Sequence, residues 1–325
     1  MSPFRVRSCV SASEASEILY PWVVAEKWDP GMNGNDIKHA YYPSDPASFF
    51  VGTITQQTTT TSAAEKIVSS ICAIKHDDNT GYIAFYVVDA LYRGKGYGFQ
   101  TFTHALSHLS ASPWIGLDAV EAQMETYKKS GFVVQTKIVR YVGGGVSHPA
   151  HSTATDGVRT VGLDQATLEQ LVDYDHGCTG MRRATFVSHW VSYHVKHGWG
   201  FVLLNQQQKI VGLGCMRRCA SGTYRIAPLY ADTLDHALDL VTRLTMAVGV
   251  NDNHTEAAAP HPHQFAVDAW TATPAPSELF ADKLGWKPIS TMYRMWRKNG
   301  TNANIDGPPL GSMDGFYAIA SPEVG

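Results

Sequence analysis

The residues best placed to do chemistry are Arg93-Gly94-Lys95-Gly96-Tyr97-Gly98. An apolar run, Tyr82 to Val88, precedes them and predicts a buried strand. The stretch Phe99 to Leu109 follows, with Phe99, Phe102, Leu106 and Leu109 on one helical face. A strand, a glycine-rich turn and a helix together aim several backbone N–H groups at one anion. Glycine tolerates positive φ and lets that anion come close to the backbone, while Arg93 and Lys95 add positive charge. The stretch predicts a pyrophosphate site. It is neither a dinucleotide G-x-G-x-x-G nor a G-x-x-x-x-G-K-[ST] phosphate loop, and taken alone it also suits a plain tight turn.

A second cluster follows at a telling distance. Ile115 to Val120 predicts another buried strand, Glu121 to Ser130 a helix, and Gly131 a helix cap before Phe132. Arg93 to Gly98 resembles the R-x-x-G-x-G/A loop with which GNAT acetyltransferases grip the pyrophosphate of acetyl-CoA. Tyr127-Lys128-Lys129-Ser130-Gly131-Phe132 resembles the Y-x-K-x-G-F end of the second GNAT motif. The resemblance implies acetyl-CoA as co-substrate and direct transfer to an amine, without a covalent enzyme intermediate. Its implied cofactor contacts are Tyr86, Val87 and Val88 along the pantetheine arm and Arg93, Gly94, Lys95, Gly96, Tyr97 and Gly98 at the pyrophosphate. Gln123 stands in for an asparagine that such motifs carry where this chain has Val120. Tyr127 is implied as the general acid, since a phenol of pKa about 10 can protonate a departing thiolate.

The base is less well marked. Asp118 on the strand beside the cofactor arm, and Glu26 and Asp29 near the acceptor side, are candidates; each also reads as a cap or a solvated charge. Trp28, Asp29 and Tyr41, with Trp22 and Tyr42, are candidates for lining the acceptor pocket, although such aromatic residues are commonly just packed. His104 and His108 at i,i+4 lack a third ligand, and Cys215 and Cys219 lack a second pair, so no metal is expected.

The elements that must position these residues occur twice. Strands are predicted at Phe4–Val10, Ser48–Ile54, Ile67–Ile74 and Tyr82–Val88, with a helix from Glu14 to Glu26 and a polar hairpin loop over Thr55–Ser62. Val133 to Val142 closes the first unit; Gly143 to Gly145 and a Ser/Thr/His/Gly-rich stretch form a linker. The same order then repeats from Val158 to Trp296, with Gly285-Trp286 standing where Gly131-Phe132 stands. The second unit has no glycine loop: Asp232 and Asp235 occupy its place and would repel a pyrophosphate. The chain resembles tandem-GNAT proteins of the YitH/HolE type, with a degenerate second domain. The implied fold is α/β (an α+β mixed sheet): two GNAT-like domains in tandem, each a mixed, largely antiparallel sheet flanked by helices. The expected boundaries are 1–146, linker 147–157, 158–300 and a C-terminal tail at 301–325, of which Gly311 to Gly325 reads as disordered or draped.

Composition excludes other classes. The 325 residues are 44% hydrophobic and carry a net charge of −3, which suits globular cores and argues against nucleic acid or an anionic membrane as partner. No apolar run approaches the ~20 residues of a membrane span, and the start lacks the apolar core of a signal peptide. Five cysteines without framework spacing fit reduced cytoplasmic thiols. The expected function is acetyl-CoA-dependent N-acetyl transfer to a small-molecule amine or amino-acid-like acceptor. A protein or peptide acceptor, or a non-catalytic acyl-CoA sensor, are the alternatives, and the oligomeric state, a homodimer included, stays open.

Overall fold

The structure, a computed structural model, describes residues 4–57, 63–78, 80–146, 157–251, 263–300, 307–312 and 315–325. The end of the predicted polar loop and nearly all of the predicted linker lie outside the described residues.

The first half supplies strands β1 (Phe4–Ser8), β2 (Phe49–Gln57), β3 (Ala63–Lys75), β4 (Gly81–Val88), β5 (Trp114–Val120) and β6 (Val133–Gly143). The second supplies β7 (Arg159–Gly162), β8 (Trp199–Leu204), β9 (Ile210–Arg218), β10 (Tyr224–Ala231), β11 (Phe265–Trp270), β12 (Lys287–Lys298) and β13 (Phe316–Ala318). Helices Ala12–Ala25, Tyr97–His108 and Met124–Lys129 belong to the first half, and Leu168–Thr179, Ala184–His197 and Leu234–Asn251 to the second. Local chemistry starts several of them. Ser11 Oγ accepts the Glu14 N–H at 3.1 Å, and Thr167 and Gln170 form a reciprocal capping box.

The two predicted sheets are one. Thirteen strands, among the described residues, run in the order β1-β2-β3-β4-β5-β12-β6-β11-β13-β10-β9-β8-β7. The last strand of each half crosses over: β12 pairs antiparallel with β5, β6 pairs antiparallel with β11, and the two pair with each other at the centre. Each core is therefore completed by its neighbour. Met295 of β12 is buried with Ile83, Phe102, Leu117 and Phe132 in the first half, and Tyr141 of β6 is buried with Val267 and Phe280 in the second. The exchange places Arg294 opposite Asp118 and Arg140 opposite Asp268.

Two parallel pairs are the hinge of the architecture. β4 and β5 pair over Gly81–Ile83 and Ile115–Leu117, and β10 and β11 pair over Tyr224–Ile226 and Phe265–Val267. Beyond those three residues each pair splays. A bulge drives the first splay, where the β3–β4 register shifts and Phe85 adopts φ 50°. In the second half the wedge between β10 and β11 holds β13, which pairs with Leu229 and Tyr230 on one side and Ala269 on the other. The tail is thus not draped. Phe316, Tyr317, Ala318, Ile319, Ala320 and Val324 are buried, and the apolar run 316–320 was the sequence signal for it.

Candidate active site

Below the splay of β4 and β5 lies a cavity of about 540 Å³. Ile83 to Val88 of β4 form one wall, with Leu117, Asp118 and Val120 of β5, then Gln123 and Tyr127. Glu26, Lys27 and Trp28, from the end of the first helix, line it as well, as does Arg93. The remaining wall comes from the exchanged strands and the tail: Arg140, Ser290, Thr291, Met292, Pro322 and Glu323. Sequence reasoning missed this second group: the apolar run 316–320 signals burial, but nothing local in it or in 287–298 says which sheet edge it joins.

The glycine loop adjoins the cavity through Arg93. Gly94 and Gly96 have φ of 76° and 82°, the left-handed region that a side chain disfavours. Helix Tyr97–His108 starts immediately after, so its unpaired first N–H groups face the loop. Gly98 is required for another reason: a Cβ there would lie 2.6 Å from the Tyr86 hydroxyl, so helix and strand touch. Lys95 Nζ sits 4.7 Å from the centre of the Tyr92 ring, and Tyr97 stacks on Phe4 at 4.8 Å. Arg93 donates to the Val88 carbonyl at 2.9 Å and to Glu26 at 2.6 Å. These residues fit a pyrophosphate beside an extended arm.

Tyr127 is half-buried beside Phe102 at 5.9 Å and Phe132 at 6.1 Å. Phe102 also touches Tyr86, at 5.6 Å. Burial raises both phenols; that of Tyr86 is pushed up to about 12, and Tyr127 is raised further by the neighbouring Tyr86. Burial and Tyr86 thus both favour the neutral phenol of Tyr127.

The other candidates separate by their partners. Asp118 lines the cavity, yet Arg294 holds both its oxygens, at 2.5 and 2.9 Å. Glu26 is engaged by Arg93 in a solvent-exposed pair. Asp29 is not among the lining residues; its carboxylate accepts from the Ser221 N–H and hydroxyl at 2.8 and 2.9 Å, tying the first half to the β9–β10 turn. Trp28 lines the cavity, and its carbonyl accepts from Arg225 at 2.9 Å. Tyr41 is buried behind the wall, its hydroxyl 2.7 Å from Ser321 Oγ. Histidines 104 and 108 pack edge-on against Phe50.

A cavity at a bulged strand, lined by Tyr127 and adjoined by a left-handed glycine loop at a helix start, is the arrangement to compare with known acyltransferases. Residues 19–132 match the model of the acetyltransferase (GNAT) family, and residues 171–253 match a second acetyltransferase (GNAT) domain model. The chain belongs to the GNAT family and carries two such domains in tandem. It is 28% identical over 315 residues to holothin acyltransferase of Pseudoalteromonas sp. (strain SANK 73390), covering 96% of this chain and 92% of that one. Among solved structures, a putative acetyltransferase from Pyrococcus horikoshii superposes with a TM-score of 0.70 at 16% identity, covering 99% of this chain and 96% of that chain. A tandem GNAT protein from the clavulanic acid biosynthesis pathway superposes with a TM-score of 0.55 at 11% identity, covering 92% of this chain and all (100%) of that one. The protein is an acyltransferase.

Proposed function

We propose that the protein transfers an acetyl group from acetyl-CoA directly to the primary amine of a small-molecule or amino-acid-like acceptor, using the cavity of the first half, residues 1–146. The observation that carries this reading is the joint wall: the splayed edge of β4, Arg93 of the glycine loop and Tyr127 line one cavity. An open edge at Tyr86–Val88 supports pairing with an extended pantetheine arm as an added strand. Gly94, Lys95, Gly96, Tyr97 and Gly98 then hold the pyrophosphate, and Gln123 supplies a polar contact beside the arm. Tyr127 gives its phenolic proton to the sulfur as the acyl bond breaks.

A cavity of about 540 Å³ suits a small acceptor better than an open peptide groove. Holothin acyltransferase, by its name, acylates holothin, which supports acyl transfer as the chemistry here. The second half, residues 158–300, takes no acetyl-CoA in this reading: Asp232 and Asp235 stand where the glycine loop would be, and β13 fills the wedge between β10 and β11. Five buried free cysteines support a cytoplasmic setting.

Calorimetry with acetyl-CoA on the wild type and on Gly96→Asp tests the reading, followed by thiol release with amines. Micromolar binding lost in the variant is the expected result. An unchanged affinity in Gly96→Asp would move the site elsewhere.

A further inference from the structure

We propose that Glu323, delivered by the segment after β13, is the general base that takes the proton from the attacking amine. The assignment rests on reading the first-half cavity as the acyl-transfer site.

Glu323 belongs to the wall of the cavity that Tyr86, Val87 and Tyr127 also line. A base must reach the proton it abstracts, so position comes first. Residues on both sides of Glu323 are pinned. Phe316 is wedged against Tyr230 and Trp270, both at 5.1 Å. The Ile319 N–H donates to the Asp268 carbonyl at 3.0 Å. Beyond Glu323, the Val324 carbonyl accepts from His76 at 3.0 Å and from Arg183 at 2.9 Å. The carboxylate between these anchors is only 8% exposed.

Its own partners are hydroxyls. Ser321 Oγ makes a close hydrogen bond to Glu323 Oε2, and the Tyr41 hydroxyl lies 3.5 Å from the same oxygen. Arg225, Arg217 and Arg140 act on it as cations, and Asp36 and Asp268 as anions, from the strands and helix packed around it. Burial outweighs the pull of Arg225 and Arg217 and pushes the carboxyl up to about 7. A base poised there is half-ionised near neutral pH and accepts a proton far better than an ordinary carboxylate. The competing carboxylates on the wall are engaged by guanidinium groups, Asp118 by Arg294 and Glu26 by Arg93.

The proton balance closes. As the amine nitrogen bonds to the acyl carbon and the carbon–sulfur bond breaks, Glu323 takes the proton that nitrogen loses and Tyr127 gives one to the sulfur. Water then removes the proton from Glu323 and restores that of Tyr127. The degenerate half thereby serves its neighbour, because its filled wedge holds the strand that brings the base to the other half's site.

The test compares wild type, Glu323→Gln, Glu323→Asp and Ser321→Ala. Thiol release from acetyl-CoA is followed with tyramine, putrescine, glucosamine and L-lysine as probes, beside calorimetric acetyl-CoA binding and thermal melts. Glu323→Gln should fold, bind acetyl-CoA as tightly as wild type, and lose about 10²- to 10⁴-fold in kcat/KM. The acidic limb of the wild-type pH profile should disappear with it. Glu323→Asp should restore part of the rate, and Ser321→Ala, lacking a donor to the carboxylate, should move the limb to higher pH. A folded Glu323→Gln that keeps both rate and limb overturns the assignment while leaving the acyl-transfer reading intact. Failure of the wild type to bind acetyl-CoA, or binding without turnover of any of the four amines, overturns both.

Discussion

Arg294 grips Asp118 through two hydrogen bonds, from Nε at 2.5 Å and Nη2 at 2.9 Å, across the seam where β12 of one half meets β5 of the other. Arg140 and Asp268 repeat the arrangement at 2.6 and 2.9 Å where β6 meets β11. The pairs are internal-repeat equivalents, and each fastens an exchanged strand. Arg294 also lies 5.3 Å from the centres of the Tyr82 and Trp270 rings and is buried. Asp118→Ala should therefore cost about 3–5 kcal/mol in denaturant unfolding, because it strands a buried cation. Asp118→Leu combined with Arg294→Met should recover most of that loss. A fully stable Asp118→Ala that had lost only turnover would instead return Asp118 to the catalytic machinery.

Tyr127→Phe separates chemistry from binding. The ring remains against Phe102 and Phe132, so acetyl-CoA affinity should stay within a few-fold by calorimetry. Loss of a general acid should lower kcat by roughly 10²- to 10⁴-fold. Equal loss of affinity and turnover would make Tyr127 a packing residue.

The glycine loop should distinguish charge from space. Gly96 has φ of 82° and open surroundings, so Gly96→Asp places a like charge at the anion site at a backbone cost of about 1–2 kcal/mol. Gly98→Ala instead drives a methyl group against the Tyr86 hydroxyl, 2.6 Å from the built Cβ. It should lower the melting temperature, corresponding to about 1–3 kcal/mol. Both variants should melt lower, whereas acetyl-CoA binding should be lost outright in Gly96→Asp, which adds a charge, and only weakened in Gly98→Ala, which adds none.

Glu323 makes stability depend on pH. Its carboxyl is raised from an ordinary 4.5 to about 7 by burial. The stability tied to its protonated form is fully present below about 4.5 and is lost as pH rises through about 7. The full shift corresponds to about 3 kcal/mol. Buried groups such as His76, lowered to about 4 by burial and Arg183, titrate in the same melts. The difference between wild type and Glu323→Gln isolates the single carboxyl, and the variant should gain relative stability between pH 5 and 8. A difference that does not change with pH would mean the carboxyl titrates normally.

Phe316→Ala probes the strand that fills the second wedge. The ring is buried against Tyr230 and Trp270, and truncation should cost about 3–5 kcal/mol. Turnover in the folded variant should also fall, since Glu323 loses its anchor, while acetyl-CoA binding remains.

Much of the molecule was legible from residue types and spacing. The alternation of elements, the glycine loop from Arg93 to Gly98 and the Tyr127–Phe132 helix end are local features: positive φ, helix starts and caps depend on neighbours a few residues away. The expectation that the second half is degenerate rests on the same locality, through Asp232 and Asp235. The exchange of β6 and β12, the entry of β13 between β10 and β11 and the arrival of Glu323 on the wall of the cavity that Phe85 to Val88 also line were decided only in three dimensions. Pairing partners far apart in the chain follow from which sheet edge is open and which core lacks a side chain. Asp118 shows the limit: its place on a strand was read from the apolar run around it, but its ion pair depended on an arginine 176 residues away.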